Sequence, residues 1–230
     1  MTTLALDTST PAPSLCLTDG DRLIGELNLT GADGGRRVLE GVHELLGQFQ
    51  VDLASLSRLV VGVGPGNFTG LRIGIASALA LGQALGIPVV GAGSVEALAL
   101  GMHETLAGAV MAGATDARRG EVFGGAFRLV GGVLVPIVPV RAYAPATFAD
   151  EVVAAAGGDA CWLAGTAVAT YRAVMSVNGL TVAPDAHGAH RVSARQLVRL
   201  ADGGDARVAR PAYHRLPDAE VNRLRAEASR

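Results

Sequence analysis

The sequence contains no lysine: all 19 of its basic residues are arginine. A P-loop needs a lysine behind its glycine-rich turn to reach the nucleotide phosphates, so the sequence excludes that class of nucleotide-binding protein. Charge of either sign is also sparse, because only 17% of the residues are charged and the formal net charge is −2. A chain without a basic field does not attract phosphate backbones by itself. We therefore expect it to reach any nucleic acid through another subunit.

Cysteine and long apolar runs are scarce as well. The two cysteines, Cys16 and Cys161, lie far apart within apolar segments, which predicts buried thiols in a reducing compartment. The sequence has no uninterrupted run of eighteen apolar residues and no charged leader ahead of its first apolar segment. We expect a soluble, cytoplasmic protein without a membrane segment. Half of its 230 residues are hydrophobic, enough for one large domain or two lobes.

What the sequence does have is a glycine-rich turn between two apolar segments. Residues 61–74 contain five glycines and Pro65, with a β-branched strand pattern before them and a helical pattern up to residue 85. A tight strand-to-helix turn is predicted, with Asn67 or Thr69 capping the helix. Two interpretations stay open: an anion cradle at the helix start, or glycines that let the helix pack closely on a sheet.

The hydrophobic periodicity predicts two successive halves that each begin with a strand and a hairpin. In the first half we predict strands at 4–6, 14–18, 22–29, 59–61 and 88–91, and helices at 37–49, 72–85 and 94–100. In the second half we predict strands at 109–114, 121–129, 133–140 and 161–164, and helices ending at 156, 174 and 200. Ser94, Thr147 and Ser193 are the predicted caps of three of these helices.

A duplicated unit of this kind implies two lobes with a cleft between them. The first strand of each half ends in an aspartate, Asp7 in one and Asp116 in the other. We predict an α/β protein with a first lobe at 1–102, a second lobe at 103–205 and a C-terminal tail at 206–230.

Four motifs carry a resemblance over nearly the whole chain. They are Asp7-Thr8-Ser9, the glycine turn from Gly64-Pro65-Gly66 to residue 74, residues 116–122, and Arg210-Pro211-Ala212-Tyr213. Together they resemble the TsaB (YeaZ) family. The resemblance implies an actin/hexokinase/Hsp70-like (ASKHA) fold, with a mixed sheet and flanking helices in each lobe. It also implies a role in forming threonylcarbamoyladenosine on tRNAs that read codons starting with A. Asn67 stands where relatives more usually carry serine, and Gly34-Gly35-Arg36 where they commonly carry His-Ser.

The resemblance implies a non-catalytic partner of the threonylcarbamoyl transferase TsaD, with a TsaE-like ATPase in the same complex. It further implies a homodimer when the protein is alone and contact with tRNA only through the complex. We expect the partner surface on the two first-lobe helices, because small residues repeat every four positions along the second of them. The predicted interface residues are Val38, Val42, Leu45, Gly74, Ala78 and Gly82.

The resemblance also locates a vestigial nucleotide cleft. In active members of the superfold, two strand-end aspartates organise a metal-bound phosphate. Asp7 and Asp116 hold the places of these aspartates here, and the predicted cleft also includes Thr8, Gly64, Gly66 and Gly165. We expect no cofactor, with ATP or ADP in the complex as the alternative. The structural alternative is that Asp7 caps the loop after the first strand and that Asp116 pairs with Arg118 or Arg119.

Histidines provide no clear metal site. The catalytic paralogue holds its metal with a His-x-x-x-His pair on a helix, whereas His43 and His103 stand alone here. His187 and His190 are close in a glycine-containing segment, which is typical of a solvated turn, with a metal site as the alternative. We expect no metal and no catalytic residue. The alternative functions are an ASKHA-type phosphotransferase, a metallopeptidase-like enzyme and a self-associating structural homodimer.

Overall fold

The structure is a computed structural model that describes residues 1–30 and 37–213, and it consists of two mixed sheets with helices packed against them. Residues Gly34-Gly35-Arg36 and the part of the predicted tail beyond residue 213 lie outside the described residues. The predicted two-lobed α/β architecture is confirmed.

The first sheet begins with a three-stranded meander and continues with two strands parallel to β1. The strands are β1 (Thr2–Asp7), β2 (Ser14–Asp19), β3 (Arg22–Asn28), β4 (Arg58–Gly62) and β5 (Val89–Ala92). A short final strand, β11 (Arg207–Val208), completes the order β11-β5-β4-β1-β2-β3. Helices α1 (Val38–Gln48) and α2 (Phe68–Leu85) cover one face of this sheet and bury Leu4, Leu15 and Leu59 beneath them.

The second sheet repeats the plan of the first. Its strands are β6 (Val110–Arg118), β7 (Glu121–Val130), β8 (Val133–Tyr143), β9 (Cys161–Ala164) and β10 (Leu180–Val182). Their order, β10-β9-β6-β7-β8, matches the first sheet's β5-β4-β1-β2-β3, with the same parallel and antiparallel pairs. Helices α4 (Pro145–Ala156) and α5 (Val168–Met175) cover its outer face. The predicted duplication is therefore confirmed by topology.

Helix α3 (Ser94–Thr105) lies between the two sheets. Ala97 and Leu98 join the apolar cluster on the inner face of the first sheet, while Ala99 and Met102 join the cluster on the second. A helix buried on two sides must be apolar nearly all round, which explains its run of alanine and leucine. Helix α6 (Ala194–Leu200) packs beside it on the first sheet.

The chain thus returns to the first lobe near its end. Helix α6 was assigned to the second lobe by the predicted boundaries, and β11 to the tail, yet both pack with the first sheet. The predicted division at residue 102 falls inside α3, which both lobes share. The division of the chain into three independent units stays a prediction.

One predicted cap is confirmed, a second occupies the N-cap position without a capping hydrogen bond, and the other two are wrong. The Asn67 side chain accepts a hydrogen bond from Gly70 N at 3.0 Å and caps α2, which begins four residues earlier than predicted. Gly93, not Ser94, is the N-cap residue of α3.

Thr147 lies inside α4, which starts at Pro145 after an alanine N-cap. Ser193 occupies the N-cap position of α6 but its hydroxyl donates instead to Glu26 Oε1 at 2.8 Å. The Ser94 and Ser193 hydroxyls thus serve tertiary contacts rather than their own helices.

Candidate partner surface and inter-lobe cleft

Asp7 ends β1 and is almost fully buried. Its Oδ1 accepts hydrogen bonds from Ser9 N at 2.9 Å and Ser9 Oγ at 2.6 Å. Its Oδ2 accepts one from Ser94 Oγ at 2.6 Å, and Ser94 Oγ itself accepts a hydrogen bond from Gly64 N at 3.1 Å. One carboxylate therefore ties together β1, the glycine turn and the first turn of α3.

This environment leaves the Asp7 carboxylate little freedom. Burial raises the pKa of Asp7 above its usual range, while the hydrogen bonds from Ser9 and Ser94 act in the opposite direction. A Cβ on Gly62 would lie 1.9 Å from Oδ2, so the neighbouring strand must carry glycine at that point. Both carboxylate oxygens accept hydrogen bonds from the protein, so a metal-bound phosphate would have to compete with these donors. The structural alternative for Asp7, that it caps the loop after the first strand, is confirmed.

The glycine turn packs directly on that loop. Asn67 N donates to the carbonyl oxygen of Ser9 at 2.7 Å, and Thr8 Oγ1 donates to the carbonyl oxygen of Gly70 at 2.8 Å. A Cβ on Gly66 would lie 2.4 Å from the Ser9 carbonyl oxygen. The amides of residues 67 and 70 already have partners inside the chain. The turn therefore shows the close packing that one interpretation predicts, while an anion at the helix start stays a prediction.

The second-lobe residues of the predicted cleft form a separate local arrangement. Asp116 Oδ1 accepts a hydrogen bond from Arg118 N at 2.8 Å, and its Oδ2 lies 3.5 Å from the Arg118 guanidinium. Asp116 N donates to Thr166 Oγ1 at 3.2 Å. Gly165, with φ of 125°, donates its N–H to His190 Nδ1 at 3.1 Å. The predicted pairing of Asp116 with Arg118 is confirmed.

The two close histidines make hydrogen bonds to backbone atoms of the same chain. His190 Nδ1 accepts the Gly165 hydrogen bond, so its Nε2 carries the proton and lies 3.0 Å from the carbonyl oxygen of Pro184. His187 Nδ1 accepts from Ala189 N at 3.0 Å. Among the residues that the structure describes, no three histidine, cysteine or acidic side chains are grouped as metal ligands.

The six predicted interface residues lie inside the first lobe. Val38, Val42 and Leu45 pack in the core under α1, and Ala78 is 0% exposed. The small residues of α2 face the sheet, because a Cβ on Gly74 would meet Thr8 and one on Gly82 would meet Val89. Ala78, one of the predicted interface residues, is therefore buried against the sheet, although a partner contact along the same two helices stays a prediction.

The opposite face of α2 is exposed. Side chains at steps of four and three residues form it: Phe68, Arg72, Ala76, Leu79 and Gln83. We call these five residues the α2 stripe. Only 28% of this helix is buried, although its mean hydropathy is 1.3. It is the one helix of the described residues that is long and apolar enough to cross a membrane, but its glycine face packs on the sheet.

The first residues of the stripe carry an aromatic cluster that the sequence reasoning missed. Phe68 and Arg72 contact Tyr213, which follows β11 near the end of the described chain. The helical spacing of 68, 72, 76 and 79 was the available signal. The competing small-residue pattern at 74, 78 and 82 masked it.

A cleft of about 460 Å³ lies between the β7–β8 hairpin and the C-terminal end of α6. Its lining includes Phe127, Val133 and Arg199, as well as Arg207, whose Nη2 donates to Glu96 Oε1 at 2.7 Å and to Asp205 Oδ2 at 2.8 Å. The guanidinium of Arg207 is thus already neutralised by carboxylates of the same chain.

Comparison with known proteins places this geometry in a family. Residues 35–201 match the family model described as TsaD, tRNA N6-adenosine threonylcarbamoyltransferase. The chain is 36% identical over 141 residues to the tRNA threonylcarbamoyladenosine biosynthesis protein TsaB of Bacillus subtilis. That match covers 60% of this chain and 60% of the relative, so the chain spans less than two thirds of this relative's length.

Two solved structures cover far more of the chain. YeaZ from Pseudomonas aeruginosa superposes with a TM-score of 0.77 at 29% identity, over 92% of this chain and 99% of that one. A second structure, described as an uncharacterized protein with similarity to the peptidase YeaZ from P. aeruginosa, has a TM-score of 0.78 at 29% identity and covers 93% and 99%. With the family model matching more than half of its length, the chain belongs to the TsaB (YeaZ) family of ASKHA-fold proteins.

Proposed function

We propose that this protein is a non-catalytic partner subunit of a TsaD-type transferase and that it is required to form threonylcarbamoyladenosine on tRNA. The B. subtilis relative is named for that biosynthesis, and the matched family model is that of the transferase. A shared fold in the two partners means that both chains present equivalent helices. Such chains can pair through like faces in a pseudo-symmetric complex.

The observation that carries the proposal is the exposed stripe on α2. Leu79 is 46% exposed on a helix whose composition is that of a core helix. On α1, which contacts α2, Leu39 is also an exposed large hydrophobic residue. An apolar face of this kind on a soluble domain is typical of a surface that a partner covers.

The surroundings of the strand-end aspartates support a non-catalytic role. The carboxylate oxygens of Asp7 accept hydrogen bonds inside the first lobe, and Oδ1 of Asp116 accepts one from a turn in the second lobe. Among the described residues, the side-chain partners of Asp7 are two serines, and Asp116 pairs with the largely exposed Arg118. Phosphoryl-transfer sites instead direct basic side chains and metal ions at the phosphate. We propose that the chain needs no cofactor of its own and that any ATP or ADP belongs to the rest of the complex. That includes a TsaE-like ATPase.

We further propose a homodimer in the absence of the transferase, contact with tRNA only through the assembled complex, and a cytoplasmic location. The low net charge supports an indirect route to tRNA. In the homodimer the same helical face would be covered by a second copy, which the transferase then displaces.

The decisive experiment measures transferase binding and tRNA modification for Leu79→Arg. A guanidinium placed in a desolvated helix contact should weaken binding by at least about tenfold and reduce modification in the reconstituted system. Val174→Arg is the matched control, because Val174 is an equally exposed apolar residue, 50% exposed, on α5 of the second lobe. Full binding by Leu79→Arg, with folding intact in both variants, would refute the proposed surface.

The enzyme alternative has its own test. We expect the purified protein alone neither to transfer threonylcarbamoyl groups nor to cleave peptides, although one structural neighbour is described as similar to a peptidase. Turnover by the isolated chain that is lost in a folded Asp116→Ala variant would show that it is an enzyme.

A further inference from the structure

Phe68, Arg72 and Tyr213 form a single stacked unit on the surface. The rings of Phe68 and Tyr213 stack with centroids 5.3 Å apart and planes 29° apart. The guanidinium carbon of Arg72 lies 3.9 Å above the Phe68 ring, and Arg72 Nε donates to Tyr213 Oη at 3.0 Å. We call these three residues the aromatic cap. Each member limits the rotamers of the other two.

The aromatic cap is accessible despite this order. Phe68 is 38% exposed and Tyr213 is 46% exposed, whereas Phe127, Tyr143 and Phe148 are buried. Aromatic residues make up only 4% of the sequence, and two of them lie together at the surface. Aromatic and arginine side chains held in place before binding lose little conformational entropy on association, which is typical of binding hot spots.

The backbone fixes the aromatic cap at one end of the α2 stripe. Phe68 is the first residue of α2, and its neighbour Asn67 is anchored to the Ser9 carbonyl oxygen. On the other side, Ala212 N donates to the carbonyl oxygen of Val63 at 2.8 Å, which places Tyr213 next to the helix start. Residues from opposite ends of the sequence therefore build one continuous surface.

Charge adds a second requirement for whatever covers this surface. Arg72 is the sole charged residue of the α2 stripe. Among the residues that the structure describes, its terminal nitrogens Nη1 and Nη2 have no hydrogen-bond partner. Covering the stripe with an apolar helix would bury part of this guanidinium. Such burial is unfavourable unless the partner supplies an acceptor of opposite charge.

We propose that the aromatic cap is the anchor of the partner contact, and that the transferase paralogue places an apolar helix along the α2 stripe with a carboxylate against Arg72. The inference rests on the proposed function and deepens it, since it adds Tyr213, which follows β11, to a contact otherwise made by helices. The competing role is structural: the aromatic cap fastens the segment after β11 to α2 and touches no partner.

Two measurements on each variant separate these roles: affinity for the purified transferase, and the thermal midpoint of the free protein. For the anchor role, Tyr213→Ala should weaken binding about tenfold or more while the thermal midpoint changes little. Tyr213→Phe, which keeps the ring and loses only the hydroxyl, should bind much closer to wild type. Val208→Ala is the control, because Val208 lies in β11, five residues before Tyr213, and is 71% exposed.

The carboxylate is tested through ionic strength. Wild-type binding should weaken between about 0.05 and 0.5 M salt, and Arg72→Gln should both bind less tightly and lose part of that dependence. An unchanged salt dependence in Arg72→Gln would overturn the ion pair.

The outcomes also distinguish this inference from the function on which it rests. If Leu79→Arg abolishes binding while Tyr213→Ala and Phe68→Ala bind normally, the anchor is refuted and the partner surface stands. A lower thermal midpoint with unchanged affinity in Tyr213→Ala refutes it too, in favour of the structural role. If none of the stripe or cap variants changes affinity, both proposals fail.

Discussion

The ends of β1 and β6 hold equivalent places in the two lobes, yet their aspartates have different surroundings. Asp7 is buried, and its carboxylate connects three elements of the first lobe through Ser9 and Ser94. Asp116 keeps part of its side chain exposed and accepts a hydrogen bond from Arg118, two residues further along the same turn. A duplicated topology has preserved the residue type but not its physical role.

The difference follows from what packs against each strand end. The first-lobe aspartate meets the N-terminal residue of α3, the helix buried between the two sheets, and so becomes part of the core. Among the described residues, the second-lobe aspartate makes hydrogen bonds within its own hairpin and with the Gly165-Thr166 turn. We infer that the first lobe uses its aspartate as a structural tie and that the second uses its aspartate to shape a surface turn.

The largest expected effect comes from removing each carboxylate in turn. Asp7→Ala should lower the free energy of unfolding by about 3 kcal/mol, because three buried donors, Ser9 N, Ser9 Oγ and Ser94 Oγ, lose their acceptor. Asp116→Ala removes one acceptor whose side chain is 19% exposed and should cost about 1 kcal/mol. Urea denaturation at neutral pH measures both. Equal losses would mean that the two strand ends are not physically distinct.

A second, smaller effect should appear in the pH dependence of Asp7→Asn. Burial raises the pKa of Asp7 above its ordinary value of 3.8, so in the folded state this carboxyl holds its proton to higher pH than in the unfolded chain. The stability that it contributes is therefore greatest below pH 3.8 and declines as pH rises through the folded pKa. The decline is at most about 1.4 kcal/mol per pH unit.

The measurement compares urea unfolding of the wild type and of Asp7→Asn from about pH 4 to pH 7. Relative to the wild type, the variant should be most destabilised at the acid end and should recover as pH rises. Asp116→Asn shows how much of any trend arises from loss of a partly exposed carboxylate. A deficit of Asp7→Asn that grows with pH would contradict the burial argument.

Much of the fold could be predicted from sequence because its signals are local. The strand before Gly64, the helix after it and the Gly131-Gly132 hairpin each show their own periodicity or turn residues. The short strands β10 and β11 were missed, since two or three residues carry no period and form only because a neighbouring strand is present. Likewise, Ser94 and Ser193 resemble caps locally but donate to Asp7 and Glu26.

The partner surface was less predictable, and α2 shows why. Gly74, Ala78 and Gly82 share one face, but small side chains suit close contact with a sheet as well as with another helix. Only tertiary structure decides between these, and here Thr8 and Val89 occupy that face. The exposed stripe that starts at Phe68 includes a residue placed ahead of the predicted helix start, and it continues to Tyr213 through a contact that no local pattern indicates.

The smallest expected effect lies in the second-lobe turn and tests how tolerant that surface site is. Arg118 adopts φ of 63°, in the left-handed region, and its N–H donates to Asp116 Oδ1. The left-handed conformation costs an L-residue about 1 kcal/mol. Glycine escapes that cost but loses a similar amount of chain entropy on folding. The Arg118 ion pair with Asp116 is long, at 3.5 Å, and largely exposed, so it adds little.

We therefore expect Arg118→Gly to stay within about 0.5 kcal/mol of the wild-type free energy of unfolding. Arg118→Val keeps the backbone N–H for Asp116 but forces a β-branched residue into the same conformation, and it should cost about 1 to 2 kcal/mol. The contrast between the two variants, measured by urea denaturation, isolates backbone conformation from the lost guanidinium. Equal destabilisation by both would show that the arginine side chain itself supports the turn. In that case the end of β6 would depend on a side-chain contact, as the end of β1 depends on Ser94.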